Sequence, residues 1–70
     1  MDDKKTIRIR YYCKSLKLPT WDTNDLTRYI SLYFDDPYSV DFMASKTKIE
    51  KLGLTNIANR LIEYLELSLI

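Results

Sequence analysis

Few side chains in this sequence could do chemistry. The 70 residues contain no histidine, one cysteine (Cys13) and one glycine (Gly53). General acid–base and nucleophilic sites mostly use histidine, or place cysteine or serine beside a base. Without histidine, such chemistry would fall to carboxylates or lysines. We therefore expect a protein that is not an enzyme and has no catalytic residues.

Two carboxylate pairs are the remaining candidates, Asp22 with Asp25 and Asp35 with Asp36. Each pair has a simpler role, the first at a helix N-terminus and the second in a solvated turn. Asp41 would extend the second pair, but the spacing and the glycine of an EF-hand are absent. We predict no metal and no cofactor, and a metal-dependent hydrolase is a distant third alternative.

Cysteine use and hydropathy bear on location. One cysteine cannot form an intramolecular disulfide, which fits a reducing, cytoplasmic compartment. Four of the first five residues are charged with no apolar segment after them, and no apolar run approaches 18 residues. We expect neither a signal peptide nor a membrane partner, and we expect Cys13 to be a small buried side chain.

The charges are segregated along the chain although the net charge is only +1. Residues 1–19 carry six Lys/Arg and two Asp, which gives +4. Residues 20–42 carry one Arg and five Asp, which gives −4, and residues 43–70 carry four Lys/Arg and three Glu, which gives +1. The small net charge argues mildly against a dedicated DNA-binding protein.

Residues 5–14 alternate between apolar and polar types. Ile7, Ile9, Tyr11 and Cys13 interleave with residues that include three cations. A period of two with β-branched and aromatic residues predicts a strand, since a helix would divide the isoleucines between two faces.

Residues 22–34 carry the pattern of an amphipathic helix. Asp22 is a predicted N-cap, with Trp21 and Leu26 at the positions of a hydrophobic staple. The remaining apolar residues fall on one arc, except Leu32, which lies outside it.

The second half of the chain predicts a strand and two helices. Tyr38, Val40 and Phe42 alternate with polar residues and predict a strand over 38–43. Helices are predicted over 45–52, capped by Ser45, and over 56–69, capped by Thr55. Gly53 lies between them where a left-handed residue is needed.

Together these elements predict one α+β domain over residues 1–70. Its order is β-α-β-α-α, with a small two-stranded sheet packed on three helices. Two strands make a weak sheet, so a dimer mate or a partner protein would complete it.

One predicted binding surface is the polar face of the first strand, which carries Arg8, Arg10, Tyr12 and Lys14. Three cations and an aromatic ring suit an acidic protein or nucleic acid. A solvated outer face, or a strand edge protected by charge, is the structural alternative.

The second predicted surface is apolar and consists of Trp21, Leu32 and Leu67. Leu32 and Leu67 lie off the apolar arcs of their helices, and tryptophan is common at interface hot spots. Packing of Trp21 on Leu26, or a third layer of the fold over the leucines, is the alternative.

Short stretches resemble three known families. Residues 45–60, a capped short helix, a Leu-Gly-Leu turn and a helix with an early Arg60, resemble the last two helices of a sterile-alpha-motif domain. That resemblance implies self-association or adaptor pairing. However, residues 20–44 are too short for the first three helices of that family.

Two other resemblances imply DNA binding. The run from Leu52 through Gly53 to Thr55 resembles a helix-turn-helix, although Ile49 and Asn59 depart from its pattern. Residues 4–10 followed by the same turn resemble a ribbon-helix-helix repressor, whose strands read the major groove. All three resemblances share one glycine turn, so the chain is assigned to none of these families.

The sequence therefore predicts a small intracellular protein–protein interaction module. A regulator, inhibitor, adaptor or complex subunit, host- or virus-encoded, fits its size. A dimeric DNA-binding regulator of ribbon-helix-helix or helix-turn-helix type is the alternative.

Overall fold

The computed structural model describes residues 4–68 and consists there of four helices, with no strand. They are α1 (Lys4–Ser15), α2 (Thr20–Asp35), α3 (Val40–Lys51) and α4 (Thr55–Ser68). The predicted β-α-β-α-α order and the two-stranded sheet are therefore wrong. A homodimer completed through that sheet loses its basis, and the predicted end of the last helix at residue 69 lies outside the described residues.

Helix α1 replaces the predicted strand over 5–14. The four apolar residues of this segment recur at every second position. They therefore also form two pairs, and the members of each pair are four residues apart. Ile9 and Cys13 form the buried pair, each fully inaccessible, whereas Ile7 and Tyr11 form the exposed pair. Residues four apart lie on one side of a helix, so the two pairs occupy opposite faces.

The turn after α1 ends the helix through a left-handed residue. Lys17 has φ 59°, and its N–H donates to the carbonyl of Lys14 at 3.0 Å. The N–H of Leu18 donates to the carbonyl of Cys13 at 3.1 Å. These two bonds define a Schellman motif in which a lysine occupies the position that glycine usually takes.

Helix α2 begins earlier than the sequence predicts. Pro19 is its N-cap, with extended backbone and no side-chain capping bond, and the N–H of Thr23 donates to the Pro19 carbonyl at 3.1 Å. Asp22 therefore lies inside the first turn and is not the cap. Trp21 is 70% exposed while Leu26 is buried, so the predicted hydrophobic staple does not form.

The predicted strand over 38–43 is a turn followed by the start of α3. Ser39 is the N-cap of α3, since its Oγ accepts a hydrogen bond from the N–H of Phe42 at 3.0 Å. The predicted cap, Ser45, is buried in the middle of the helix. Phe42 packs inward, with its ring 5.3 Å from that of Tyr29 on α2.

Gly53 occupies the left-handed position that the sequence predicts. Its φ is 72°, its N–H donates to the Glu50 carbonyl at 3.1 Å, and the N–H of Leu54 donates to the Ile49 carbonyl at 3.0 Å. The N–H of Ala58 donates to the carbonyl of Leu54 at 2.8 Å, so α4 begins one residue before the predicted start.

Helices α2 and α4 each contact the other three helices, and α2 makes the more extensive contacts with α1 and α3. No Cα atoms of α1 and α3 approach within 8 Å of each other in the described residues. Lys5 of α1 lies over the Phe34 ring, and Lys48 of α3 pairs with Asp25. Phe34 and Asp25 are about 180° apart around α2, so α1 and α3 flank it on opposite sides.

The buried core draws on all four helices. It consists of Ile9, Cys13, Leu26, Tyr29, Ile30, Phe42, Ile49, Leu54, Ala58, Leu61, Ile62 and Leu65. A search of the described residues finds no helix with the length and hydropathy needed to span a bilayer.

Candidate protein-interaction surfaces

The predicted cationic face is divided in the structure. On a helix, Arg8 and Arg10 are about 200° apart, whereas a strand would place them on one side. Arg8 with Tyr12 lies on one flank of α1, and Arg10 with Lys14 lies on the other. The four residues therefore do not form one surface.

Tyr12 packs between helices and does not present a free ring. It is partly buried against the core, and its ring centroid lies 5.8 Å from that of Tyr64 on α4. The predicted role of Tyr12 as a contact residue on an open cationic face therefore loses its structural basis.

The other flank of α1 faces the start of α2. Arg10 and Lys14 line a cavity of about 400 Å³ there. The other lining residues are Leu18, Thr20, Thr23 and Asn24. This cavity combines two cations with hydroxyl and amide groups.

The outward side of α1 carries a surface that the sequence reading missed. Lys4, Ile7, Tyr11 and Lys14 are spaced i, i+3, i+7 and i+10, and all four are exposed. Ile7 is 56% exposed and Tyr11 is 76% exposed. We call these four residues the α1 face. Their helical spacing is the signal that could have identified this face, but a strand over 5–14 would place Ile7 and Tyr11 on the same face as Ile9 and Cys13.

The described part of α1 and the turn after it carry charges of one sign. Residues 4–19 contain six Lys/Arg and no acidic residue. Lys5 pairs with Asp35 at 3.9 Å, and because Asp35 is exposed to solvent this contact contributes little stability. Within residues 4–68, Lys4, Arg8 and Lys14 make no ion pair. Their positive charge is therefore available to an acidic partner.

The structure separates the three predicted apolar contacts. Leu32 is partly buried and packs against the core, so it does not form an exposed contact. Trp21 is 70% exposed in the first turn of α2, and Leu67 is 68% exposed on α4. Leu67 follows Tyr64 by one turn and so lies near the α1–α4 contact. The binding roles of Trp21 and Leu67 stay predictions.

A second exposed apolar patch surrounds the connection between α2 and α3. Tyr38 is 96% exposed, Val40 84% and Met43 57%. Asp35, Asp36 and Asp41 are also exposed, and residues 35–43 contain no cation. We call these six residues the acidic turn. The predicted strand over 38–43 places Tyr38 and Val40 on one face with Phe42, so the sequence does not indicate this patch.

The α3–α4 pair offers little positive charge on its second helix. Leu54, Ala58, Leu61, Ile62 and Leu65 are buried in the core. The exposed charged residues of α4 are Arg60, Glu63 and Glu66. One cation against two acids is a poor match for DNA phosphates.

The remaining reactive group is enclosed. Cys13 is 0% exposed, and burial raises the pKa of its thiol above the usual 9.0. A buried, protonated thiol is a weak nucleophile. Among the described residues, no three acidic, cysteine or histidine side chains are grouped as a metal site would require.

Comparison with known proteins adds no assignment. No protein-family model, curated protein or solved structure matches this chain.

Proposed function

We propose that this protein is a non-enzymatic protein–protein interaction module that binds an acidic protein surface through the α1 face. The observation that supports this most is the exposed stripe of Lys4, Ile7, Tyr11 and Lys14. It presents two apolar side chains between two cations on a helix that packs on its opposite side. A regulator, inhibitor, adaptor or complex subunit can work through such a surface.

The apolar residues of the α1 face favour a protein partner over a nucleic acid. Phosphate contacts need cations, whereas Ile7 gains by burial against apolar side chains. Tyr11 supplies a large ring of the kind enriched at interface hot spots. The surrounding cations would speed association and select an acidic partner.

DNA binding is the alternative, and the helical structure supports it less. The ribbon-helix-helix version requires a strand over 5–14, but these residues form helix α1. The helix-turn-helix version depends on α4, whose exposed charges are mostly acidic. A nucleic-acid partner is therefore an outcome that the experiment must be able to detect.

Single-cysteine use and the enclosed Cys13 support our further proposal that the protein acts in a reducing, cytoplasmic compartment. The thiol has no accessible surface through which to form an intermolecular disulfide.

A pull-down comparing two double variants of the full chain tests the proposed function. In Tyr11→Ala/Lys14→Glu, both changes fall on the α1 face. In the control, Leu52→Ala/Lys51→Glu, an exposed apolar side chain and a lysine at the end of α3 receive the corresponding changes. Each protein is used as bait in native extract with and without nuclease, and captured proteins are identified by mass spectrometry.

The expected result is a protein captured after nuclease treatment by the wild type and the control, and lost with the α1-face variant. Isothermal titration of that purified protein should then show binding at least about tenfold weaker for the α1-face variant. Equal capture by both variants would show that the α1 face is not the binding surface. Capture that disappears with nuclease would favour the nucleic-acid alternative.

A further inference from the structure

We infer that the acidic partner of the α1 face is a second copy of this chain, which presents its acidic turn. This inference rests on the proposed function, since it names the partner of the same surface. The chain itself carries a surface that matches the α1 face in charge and in apolar content.

The two surfaces are complementary in composition. The α1 face has two cations beside Ile7 and Tyr11, while the acidic turn has three aspartates around its apolar side chains. Tyr38 and Val40 are the most exposed large apolar side chains among the described residues, at 96% and 84%. Joining the surfaces would bury apolar area on both sides and bring opposite charges together.

The geometry prevents one copy from satisfying both of its own surfaces. Helices α1 and α3 flank α2 on opposite sides, and no Cα atoms of their described residues lie within 8 Å of each other. Among the described residues, the two charged segments meet within a chain at their edge, where Lys5 lies 3.9 Å from Asp35. The α1 face and the α3 part of the acidic turn therefore point away from each other, so their pairing between copies is head-to-tail.

The charges at the end of α2 oppose its helix dipole. Asp35 and Asp36 lie there, and the last turn of α2 contains no cation. These aspartates do not help their own helix, and a second copy that offers positive charge would stabilise them.

The first experiment is sedimentation of the full wild-type chain from about 10 µM to about 1 mM, since an interface this small is expected to be weak. We expect the average mass to rise with concentration and to fall again at about 0.5 M salt. A constant monomer mass over the whole range would overturn self-association. It would leave the pull-down above as an independent test of the proposed function.

The second experiment mixes two variants, each with one surface disrupted. Tyr11→Ala/Lys14→Glu removes the α1 face, and Asp36→Lys/Tyr38→Ala removes the acidic turn. Each variant alone should associate at least about tenfold more weakly than the wild type. A 1:1 mixture should form dimers and nothing larger, because each variant keeps one intact surface.

The mixture also separates head-to-tail pairing from symmetric pairing. If the α1 face bound a second α1 face, the acidic-turn variant alone would still associate and mixing would add nothing, which would overturn the inference. The Leu52→Ala/Lys51→Glu control should associate like the wild type. Far-UV circular dichroism and amide NMR spectra verify that each variant is folded, so that a lost association reports the interface.

Discussion

The turns that end α1 and α3 have the same backbone geometry but different residues at the left-handed position. Lys17 has φ 59° and Gly53 has φ 72°, and each is followed by a leucine whose N–H bonds to a carbonyl five residues earlier. The α3 turn joins two well-buried residues, Ile49 and Leu54. The α1 turn joins buried Cys13 to Leu18, which is only partly buried.

This difference shows that two turns can share one backbone geometry although only one of them can be predicted from its residues. Glycine adopts a positive φ without strain, so Gly53 predicts its turn from the sequence. A lysine there is strained by its Cβ and carries no such signal. Because no residue type near Lys17 marks the end of a helix, the sequence does not indicate the helix that precedes it.

The largest predicted difference between the turns lies in their leucines. Leu54→Ala should lower the free energy of unfolding by about 2–4 kcal/mol, because it empties a buried site. Leu18→Ala should lower it by about 1 kcal/mol, because less apolar area is lost. Urea unfolding followed by circular dichroism measures both. Equal losses would show that the two turns contribute alike to the core.

Gly53→Ala should destabilise the fold by about 1 kcal/mol through the backbone. An added Cβ would meet no atom within 4 Å, so crowding does not contribute. Gly53→Asn should lose less, because asparagine tolerates positive φ. Thermal melting of the three proteins tests this, and an Ala variant as stable as the wild type would refute the strain argument.

Lys17→Gly should have the opposite sign and stabilise the protein by about 0.5–1 kcal/mol, because it relieves the strain of a left-handed lysine. Lys14→Gly, at a helical position in the same segment, should instead be destabilising by a similar amount. The same melting measurements apply, with a loss of stability in Lys17→Gly as the contrary outcome.

The smallest effect concerns Cys13, the counterpart of Ile49 in the α1 turn. Burial raises the pKa of the Cys13 thiol above 9.0, so its contribution to stability is complete below pH 9. This contribution is lost as pH rises through the folded-state pKa, because the thiol ionises in the unfolded chain at a lower pH than in the folded chain. We expect a loss below about 1 kcal/mol at pH 9.5.

Melting at pH 8, 9 and 9.5 checks this against Cys13→Ala, which should lack the change. The pKa of Tyr29 is also raised by burial from 10.0, so its own loss begins at higher pH. Parallel curves for the wild type and Cys13→Ala would rule out the thiol as the cause.

The local sequence predicted the later helices better than the start of the chain. The helix over residues 22–34 and the helix after Gly53 have one apolar arc each, and both exist with shifted starts. The predicted strand over 5–14 is wrong because four apolar residues at a spacing of two also form two pairs whose members are four apart, as on a helix. The predicted strand over 38–43 is wrong because Ser39 is the N-cap of α3, although its position also fits the alternation of a strand.

The sequence by itself determined the segregation of charge, the left-handed glycine turn and the poverty of catalytic side chains, because these depend on residue types and near neighbours. Only the tertiary structure decided which apolar residues are exposed. Ile7 and Ile9 are the same residue type two positions apart, yet Ile9 is buried and Ile7 is 56% exposed. Packing against α2 and α4 selects one side of α1, and that selection leaves Ile7 and Tyr11 facing outward beside Lys4 and Lys14.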